Sequence, residues 1–275
     1  MHHSIETTLG NLNVEVSGSG PEVILWHSLF LNNRQWDRVL PTFAEQRRVI
    51  AIEGPGHGQS KLAVPSFTLE DCAAATLQIM DALTISQASW VGNAWGGHVG
   101  MVTAARHPDR ITSLTTIGSP LSALDKNERK HLQVAVWMYK TFGPRAFLTN
   151  KLLGTLLARE VRANDREAVE IARRAFVEAD RKPMGIALDC MMLGRPDLVT
   201  TYNDLSTPRL MLVGNEDEVW SPAAARALVK ETSQSTIVSI AGASHISPLE
   251  RPDATIASIL EFWDRVHSPV VAGMA

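Results

Sequence analysis

Short apolar runs without a polar face recur along the first half of the chain. They occupy residues 23–26, 49–52, 88–91 and 114–117. A run of this length with no polar face predicts a strand buried on both sides, as in a parallel sheet covered by helices. Two further runs, 5–9 and 12–16, flank Gly10-Asn11, a pair that predicts a hairpin turn. Runs at 210–213 and 236–240 bring the predicted strands to eight.

Helical stretches alternate with these strands. Residues 67–83 begin with Thr68 as the predicted N-cap and Asp71 three residues later, and residues 95–107 stop before Pro108. Further helices are predicted at 222–230 and 251–267, and the tail 268–275 is expected to fray. This alternation predicts an α/β fold, a mostly parallel eight-stranded sheet with helices on both faces.

The segment from 121 to 200 follows a different pattern. Apolar residues recur there at three-and-four spacing, as in Leu152, Leu153, Leu156 and Leu157, and no strand signal is present. We therefore expect a helical cap at 121–200, inserted into a core made of residues 1–120 and 201–275. The segment has 14 Lys or Arg against 10 Asp or Glu, which we interpret as solvated helix faces rather than a field that steers anions.

The amino-acid composition and net charge exclude several classes of partner. The 275 residues are 45% hydrophobic, enough for a sizeable core, and the formal net charge is −3 without a concentrated basic block. Nucleic acid is therefore not an expected partner. No apolar run reaches the roughly 18 residues that a membrane span needs, and we expect no membrane association. The first residues lack the apolar stretch of a signal peptide and the two cysteines are far apart, which favours a cytoplasmic, reduced protein.

The sequence Val-Gly-Asn-Ala-Trp-Gly-Gly at 91–97 stands where a buried strand runs directly into a helix. A turn this sharp strains its central residue and leaves no room for a side chain two positions before or after it. Gly92 and Gly96 meet that requirement around Ala94. In this context a G-x-S-x-G motif normally presents a nucleophile. Alanine has none, so the chain is expected to form no acyl-enzyme at this position.

Two later loops carry candidate acid–base groups. An acidic loop with Glu216, Asp217 and Glu218 follows the strand that ends near Gly214, and His245 follows the last strand. Because the carboxyl ends of parallel strands share one edge of a sheet, His245 is expected to lie opposite this acidic loop. We predict that His245 is a general base.

These motifs in this order resemble the α/β-hydrolase family. The likeness covers essentially the whole chain and implies Ala94 at the nucleophile position, Asp217 as the triad acid and His245 as the base. It implies an oxyanion hole made by the backbone N–H groups of Leu29 and Trp95, with Phe30 as the alternative to Leu29. No metal or organic cofactor is implied.

Within the family, the pattern is most similar to 3-oxoadipate enol-lactonase-like esterases and lactonases. The shared features are His27-Ser28-Leu29, Trp36-Asp37 and the Gly-His-Gly-Gln-Ser loop at 56–60. The chain departs from them in Ala94, and in Glu53-Gly54-Pro55 where these enzymes usually have Asp and Arg. The resemblance implies a serine-type hydrolase of a carboxylic ester or lactone, and carbon–carbon bond hydrolysis of ring-fission products uses the same parts.

Ala94 leaves two interpretations. The first, which we favour, is an inactive variant in which Ala replaces the Ser of an active parent. The second is a protein that binds ligands without hydrolysing them, or that uses the His245–Asp217 pair as a bare base. In either case the expected partner is a small molecule, and a homodimer is left open.

Other residues are candidates for substrate contacts or for an alternative nucleophile. Trp137, Met191 and Trp220 are predicted to contact substrate, with packing between helices as the alternative. Cys72 and Cys190 are interpreted as small buried hydrophobes, and Ser28, Ser119 and Ser244 lack elbow geometry. We expect packing roles for the side chains of His27, His57 and His98.

Overall fold

The computed structural model describes residues 1–267, so the predicted fraying of 268–275 lies outside the described residues. Eight strands form one sheet in the order β1-β2-β4-β3-β5-β6-β7-β8. The pairs β1–β2 and β2–β4 are antiparallel and all other pairs are parallel. The strands are β1 His2–Thr7, β2 Gly10–Ser17, β3 Glu22–Trp26, β4 Arg48–Ile52, β5 Ala88–Asn93, β6 Ile111–Ile117, β7 Arg209–Gly214 and β8 Ser235–Ile240. All eight predicted strands are confirmed.

Helices cover both faces of the sheet. They are α1 Leu40–Ala44, α2 Leu69–Ala82, α3 Trp95–Arg106, α4 Lys126–Phe142, α5 Ala146–Leu156, α6 Arg159–Asn164, α7 Arg166–Val177, α8 Arg181–Ala187, α9 Val199–Asn203, α10 Pro222–Leu228, α11 Ser247–Glu250 and α12 Pro252–His267. A 3₁₀ turn spans Asn33–Trp36 and a π-helical turn spans Leu188–Leu193. The predicted N-cap of α2 is confirmed, because Thr68 and Asp71 form a reciprocal capping box.

The first hairpin differs from its prediction. Thr7 pairs with Gly10, so the two turn residues are Thr8 and Leu9, and Gly10-Asn11 begins β2. Gly10 has φ +121, and a Cβ there would lie 2.8 Å from the carbonyl oxygen of Lys61. The glycine is therefore required by a close approach of another segment rather than by the turn.

The central strands explain why their sequences show no polar face. In β3, Val23 and Leu25 pack into one apolar cluster, whereas Ile24 and Trp26 pack into the other. Successive side chains of a strand point to opposite faces, so a sheet covered on both sides needs apolar residues at every position. Because these strands pair in parallel, their carboxyl ends lie at one edge of the sheet, and the loops that carry the candidate site residues begin there.

Helices α4 to α9 lie between β6 and β7 in the chain and are tied to the sheet-bearing part by polar contacts. The guanidinium of Arg38 binds the carboxylate of Asp165, with Nη2 to Oδ1 at 2.8 Å, and Arg251 Nη2 lies 2.8 Å from Glu160 Oε2. Within residues 1–267 no helix is long and apolar enough to cross a membrane.

Candidate active site

Ala94 occupies the sharp turn between β5 and α3. Its backbone angles are φ 49 and ψ −109, which lie outside the regions that non-glycine residues normally adopt. Its amide donates to the carbonyl oxygen of Ile117 at 2.8 Å, which helps to hold the turn. A Cβ on Gly96 would lie 2.0 Å from the backbone oxygen of Trp26, and one on Gly92 would lie 2.2 Å from the backbone of Gly96. The elbow therefore has the steric form expected from its sequence.

His245 and Asp217 meet across the ends of β7 and β8. His245 Nδ1 lies 3.0 Å from Asp217 Oδ2, and both side chains are buried. Asp217 Oδ1 accepts the amide protons of Val219 and Trp220 at 2.8 and 3.0 Å. The loop amides therefore hold the carboxylate through Oδ1, and its other oxygen, Oδ2, faces the imidazole. Neighbouring Glu216 and Glu218 are exposed to solvent.

The environment of His245 favours its protonated form. Burial alone would lower the pKa of the imidazole, but the charge of Asp217 and the hydrogen bond to it outweigh burial, so the pKa lies above its ordinary value. An imidazole that accepts a proton readily and is oriented through Nδ1 presents Nε2 as a base. This is the arrangement that a general base needs.

Two residues that sequence reasoning missed support this pair. Asn93 Nδ2 donates to the carbonyl oxygens of Ile117 and His245 at 2.8 and 3.1 Å, which joins the elbow to the histidine loop. Gly118 has φ 52, and a Cβ there would lie 3.0 Å from His245 Nδ1 and 3.1 Å from Asp217 Oδ2. Because Gly118 has no side chain, it leaves room for the His245–Asp217 pair. In the sequence, the only signal was the position of Gly118 directly after a buried strand.

Glu250 was also missed. Its buried carboxylate accepts three backbone N–H groups: Oε1 from Ser244 and Ile246, both at 3.0 Å, and Oε2 from Ala158 at 2.6 Å. The first two bracket His245, and the third lies between α5 and α6. Burial raises the pKa of this carboxyl, although the three N–H groups act in the opposite direction. Glu250 therefore fastens the histidine loop to the helices that follow β6.

The predicted oxyanion donors, Leu29 and Trp95, both line the same cavity as Ala94 and His245. Within residues 1–267 neither backbone amide donates a hydrogen bond to another protein group. The segment 28–29 is held from behind by two buried histidines. His27 Nδ1 lies 2.7 Å from the oxygen of Ser28 while its Nε2 accepts the amide of Gly54.

Both histidines behind this segment are electrically neutral groups. Burial, followed by the nearby His57, lowers the pKa of His27 to about 3. Burial likewise lowers the pKa of His57, whose Nε2 contacts the oxygen of Leu29. Their contacts agree with the packing roles expected from sequence.

The cavity lies between the strand ends and the helices that follow β6, with a volume of about 460 Å³. Most of its wall is apolar, as is usual for small-molecule sites. One face of α4 contributes residues at three-and-four spacing: Glu128, His131, Leu132, Ala135, Val136 and Tyr139. Met191, a predicted substrate contact, also lines the cavity.

The predictions for Trp137 and Trp220 do not agree with the structure, which places both outside this cavity. Trp137 lies on the opposite face of α4 and is 60% exposed, packed edge-on against Phe142. Trp220 is buried, and its indole N–H points at the sulfur of Met211 at 3.4 Å. Sequence spacing identified α4 as a helix but could not show which of its faces meets the cavity.

Among the other nucleophile candidates, Ser28 lines the cavity with Ala94, whereas the remaining ones do not line it. The hydroxyl of Ser119 donates to Ile117, and that of Ser244 lies near the oxygens of Glu216 and Thr155. Burial raises the pKa of the Cys72 thiol well above its ordinary range, while Cys190 is half-buried rather than buried as expected. Across residues 1–267 no group of three or more His, Cys, Asp or Glu side chains is placed to hold a metal ion.

The chain belongs to the α/β-hydrolase fold family, whose model matches residues 21–252. The 2-(acetamidomethylene)succinate hydrolase of Mesorhizobium japonicum is 24% identical over 92% of this chain and 91% of its own length. The 3-oxoadipate enol-lactonase 1 of Acinetobacter baylyi is 24% identical over 89% and 90%. A thermophilic esterase from Thermogutta terrifontis, solved with malate bound, superposes with a TM-score of 0.89 at 24% identity, covering 98% of this chain and all of that one. The predicted fold and the resemblance to enol-lactonase-like hydrolases are confirmed.

Proposed function

We propose that this chain has the binding and acid–base apparatus of an ester or lactone hydrolase, and that Ala94 disables its covalent step. The observation that carries the proposal is the buried His245–Asp217 pair, whose histidine lines one cavity with a strained elbow residue that has no functional group. A serine at position 94 would supply the missing nucleophile. The relatives named above are an esterase, an enol-lactonase and a 2-(acetamidomethylene)succinate hydrolase, and their names support acyl transfer to water.

In the proposed reaction the serine hydroxyl of an Ala94→Ser variant attacks the carbonyl carbon of an ester or lactone. His245 removes the hydroxyl proton and returns it to the leaving oxygen, while Asp217 orients the imidazole and stabilises its positive charge. The amides of Leu29 and Trp95 stabilise the oxyanion. Water then attacks the acyl-enzyme with His245 again as base. Residues 121–200 would act as a cap that contributes one wall of the cavity.

The test compares the chain as it stands with its Ala94→Ser variant on p-nitrophenyl esters, aliphatic and enol lactones, and a ring-fission diketone. We expect the serine variant to be faster by several orders of magnitude, about 10⁴-fold to 10⁶-fold, on at least one ester or lactone. Intact-protein mass spectrometry should detect an acyl adduct on the introduced serine. Turnover of the diketone alone would instead identify a carbon–carbon bond hydrolase.

A matched control separates a restored triad from a merely exposed hydroxyl. The double variant Ala94→Ser, His245→Gln keeps the hydroxyl and removes the base, and it should lose most of the gained rate. If the double variant is as fast as Ala94→Ser, the assignment of His245 as base is wrong.

Ala94 itself favours a second candidate, a protein that binds a small molecule without hydrolysing it. In that case Ala94→Ser would remain inert on the whole panel, while the unchanged chain would bind one of these compounds tightly enough to be measured by calorimetry.

A further inference from the structure

The cavity wall contains a guanidinium with no partner. Arg195 stands between the π-helical turn and α9, and it lines the cavity with Ala94 and His245. Its Nε is buried and has no hydrogen-bond partner, and within residues 1–267 the side chain forms no ion pair. By contrast, Arg38 and Arg251 reach carboxylates elsewhere in the fold. Burying an unpaired charged donor costs free energy, so its place in a ligand cavity calls for a ligand that pairs with it.

The segment that bears Arg195 is fixed close to the elbow. The amide of Leu198 donates to the oxygen of Leu121 at 2.7 Å, just beyond the end of β6. Pro120, the preceding residue, accepts a hydrogen bond from His98 Nε2 at 2.8 Å. Burial and next the positive charge of Arg195 lower the pKa of His98 to about 3. The positive charge of Arg195 is therefore close enough to lower the pKa of His98, which also lines the cavity.

The other charges around this cavity do not satisfy Arg195. Burial lowers the pKa of Arg195, and the negative charge of Glu128 acts in the opposite direction. The Glu128 carboxylate is nevertheless exposed, and it accepts the amide of Asp125 at 2.9 Å within the capping box of α4. Glu218, His131 and Lys151 also line the cavity and are exposed to solvent. Exposed charges are screened by water, whereas the half-buried guanidinium is screened less.

Tyr139 adds a second unpaired donor to the same wall. Its hydroxyl is buried without a partner, and the residue is 2% exposed. Burial raises the pKa of Tyr139 to about 12, so the hydroxyl keeps its proton. The Nε of Arg195 and the hydroxyl of Tyr139 both lack a hydrogen-bond partner, and both residues line one largely apolar cavity. Both are suited to an oxygen-rich, anionic group of a ligand.

We propose that Arg195 binds a carboxylate of the ligand, so that the substrate is a half-ester or lactone carrying a free carboxylate rather than a neutral ester. The planar guanidinium matches a carboxylate through two parallel N–H···O bonds. This inference rests on the proposed function for the identity of the scissile bond, but the binding of a carboxylate can be measured without turnover.

The experiment uses the chain as it stands, in which Ala94 permits binding to be measured without hydrolysis. Isothermal calorimetry compares the monomethyl half-esters of succinate, glutarate and adipate with the corresponding dimethyl esters. We expect at least one half-ester to bind about 10-fold to 100-fold more tightly than its diester, the range of a charge-assisted bidentate contact. The preference should shrink as the salt concentration rises.

Variants assign the preference to one residue. Arg195→Gln should weaken the half-ester about 10-fold to 100-fold and leave the diester within about 2-fold. Lys151→Gln is the matched control, since it removes an exposed cation from the same wall and should preserve the preference. If Arg195→Gln does not fold, the comparison of half-ester with diester is made on the unchanged chain and on Lys151→Gln, where a salt-sensitive preference that survives the loss of Lys151 supports Arg195.

The inference is overturned if half-esters and diesters bind equally, if Arg195→Gln weakens both by the same factor, or if the preference is lost in Lys151→Gln instead. These results are separate from those that test the proposed function. An Ala94→Ser variant that hydrolyses neutral esters, with no effect of Arg195→Gln, would retain the hydrolase and refute the carboxylate. An inert Ala94→Ser variant beside Arg195-dependent binding would retain the carboxylate and refute the hydrolase.

Discussion

Replacing Ala94 with glycine should cost far less stability than the same change elsewhere in the core. Ala94 has φ 49 and ψ −109, a backbone conformation that a residue with a Cβ adopts only under strain. Strain of this kind amounts to about 1–3 kcal/mol. Glycine adopts positive φ freely, so Ala94→Gly releases most of this strain.

Two costs oppose the gain. A glycine raises the entropy of the unfolded chain, which costs about 0.4–1 kcal/mol, and the lost methyl costs at most about 0.8 kcal/mol of burial. The net change at position 94 should lie between a loss of about 1 kcal/mol and a gain of about 2 kcal/mol. The matched control is Ala75→Gly, in the interior of α2 and fully buried. There the helix penalty of about 1 kcal/mol and the lost burial add to roughly 2 kcal/mol.

Differential scanning calorimetry and urea unfolding of the three proteins measure the contrast. At about 2 °C per kcal/mol for a chain of this size, Ala94→Gly should melt several degrees above Ala75→Gly. If the two variants lose equal stability, position 94 is not strained in solution, and the steric account of the elbow fails.

Two further predictions concern the groups around His245. Asp217→Asn should lower the imidazole pKa in an NMR titration, because burial is no longer outweighed. The unchanged pair, with its raised pKa, stabilises the fold below about pH 6.5 and loses that contribution as pH rises through the folded pKa. The variant should instead lose stability on acidification, and an unshifted titration would contradict the pairing. Glu250→Gln should destabilise by roughly 2–3 kcal/mol and speed hydrogen exchange of the Ala158 amide, because an NH₂ group then faces that N–H. Unchanged exchange would refute the fastening role of Glu250.

Much of the fold was determined by local features of the sequence. Strands such as β3 and β5 have apolar residues on both faces, and this pattern occurs only where helices cover both sides of a sheet. The helix N-cap at Thr68 was predictable because capping depends on residues only three positions apart. The elbow was predictable for the same reason, since Gly92 and Gly96 answer a steric demand within one turn of chain.

Contacts between distant segments were decided by tertiary structure alone. Spacing showed that α4 is a helix, but only packing determined that Tyr139 faces the cavity and Trp137 faces solvent. Glu250 and Arg195 show no local signal, because a carboxylate that binds three distant amides and a guanidinium without a partner are defined by what surrounds them in space. Local steric rules act over a few residues and are written in the sequence, whereas burial and pairing depend on segments that only the folded chain brings together.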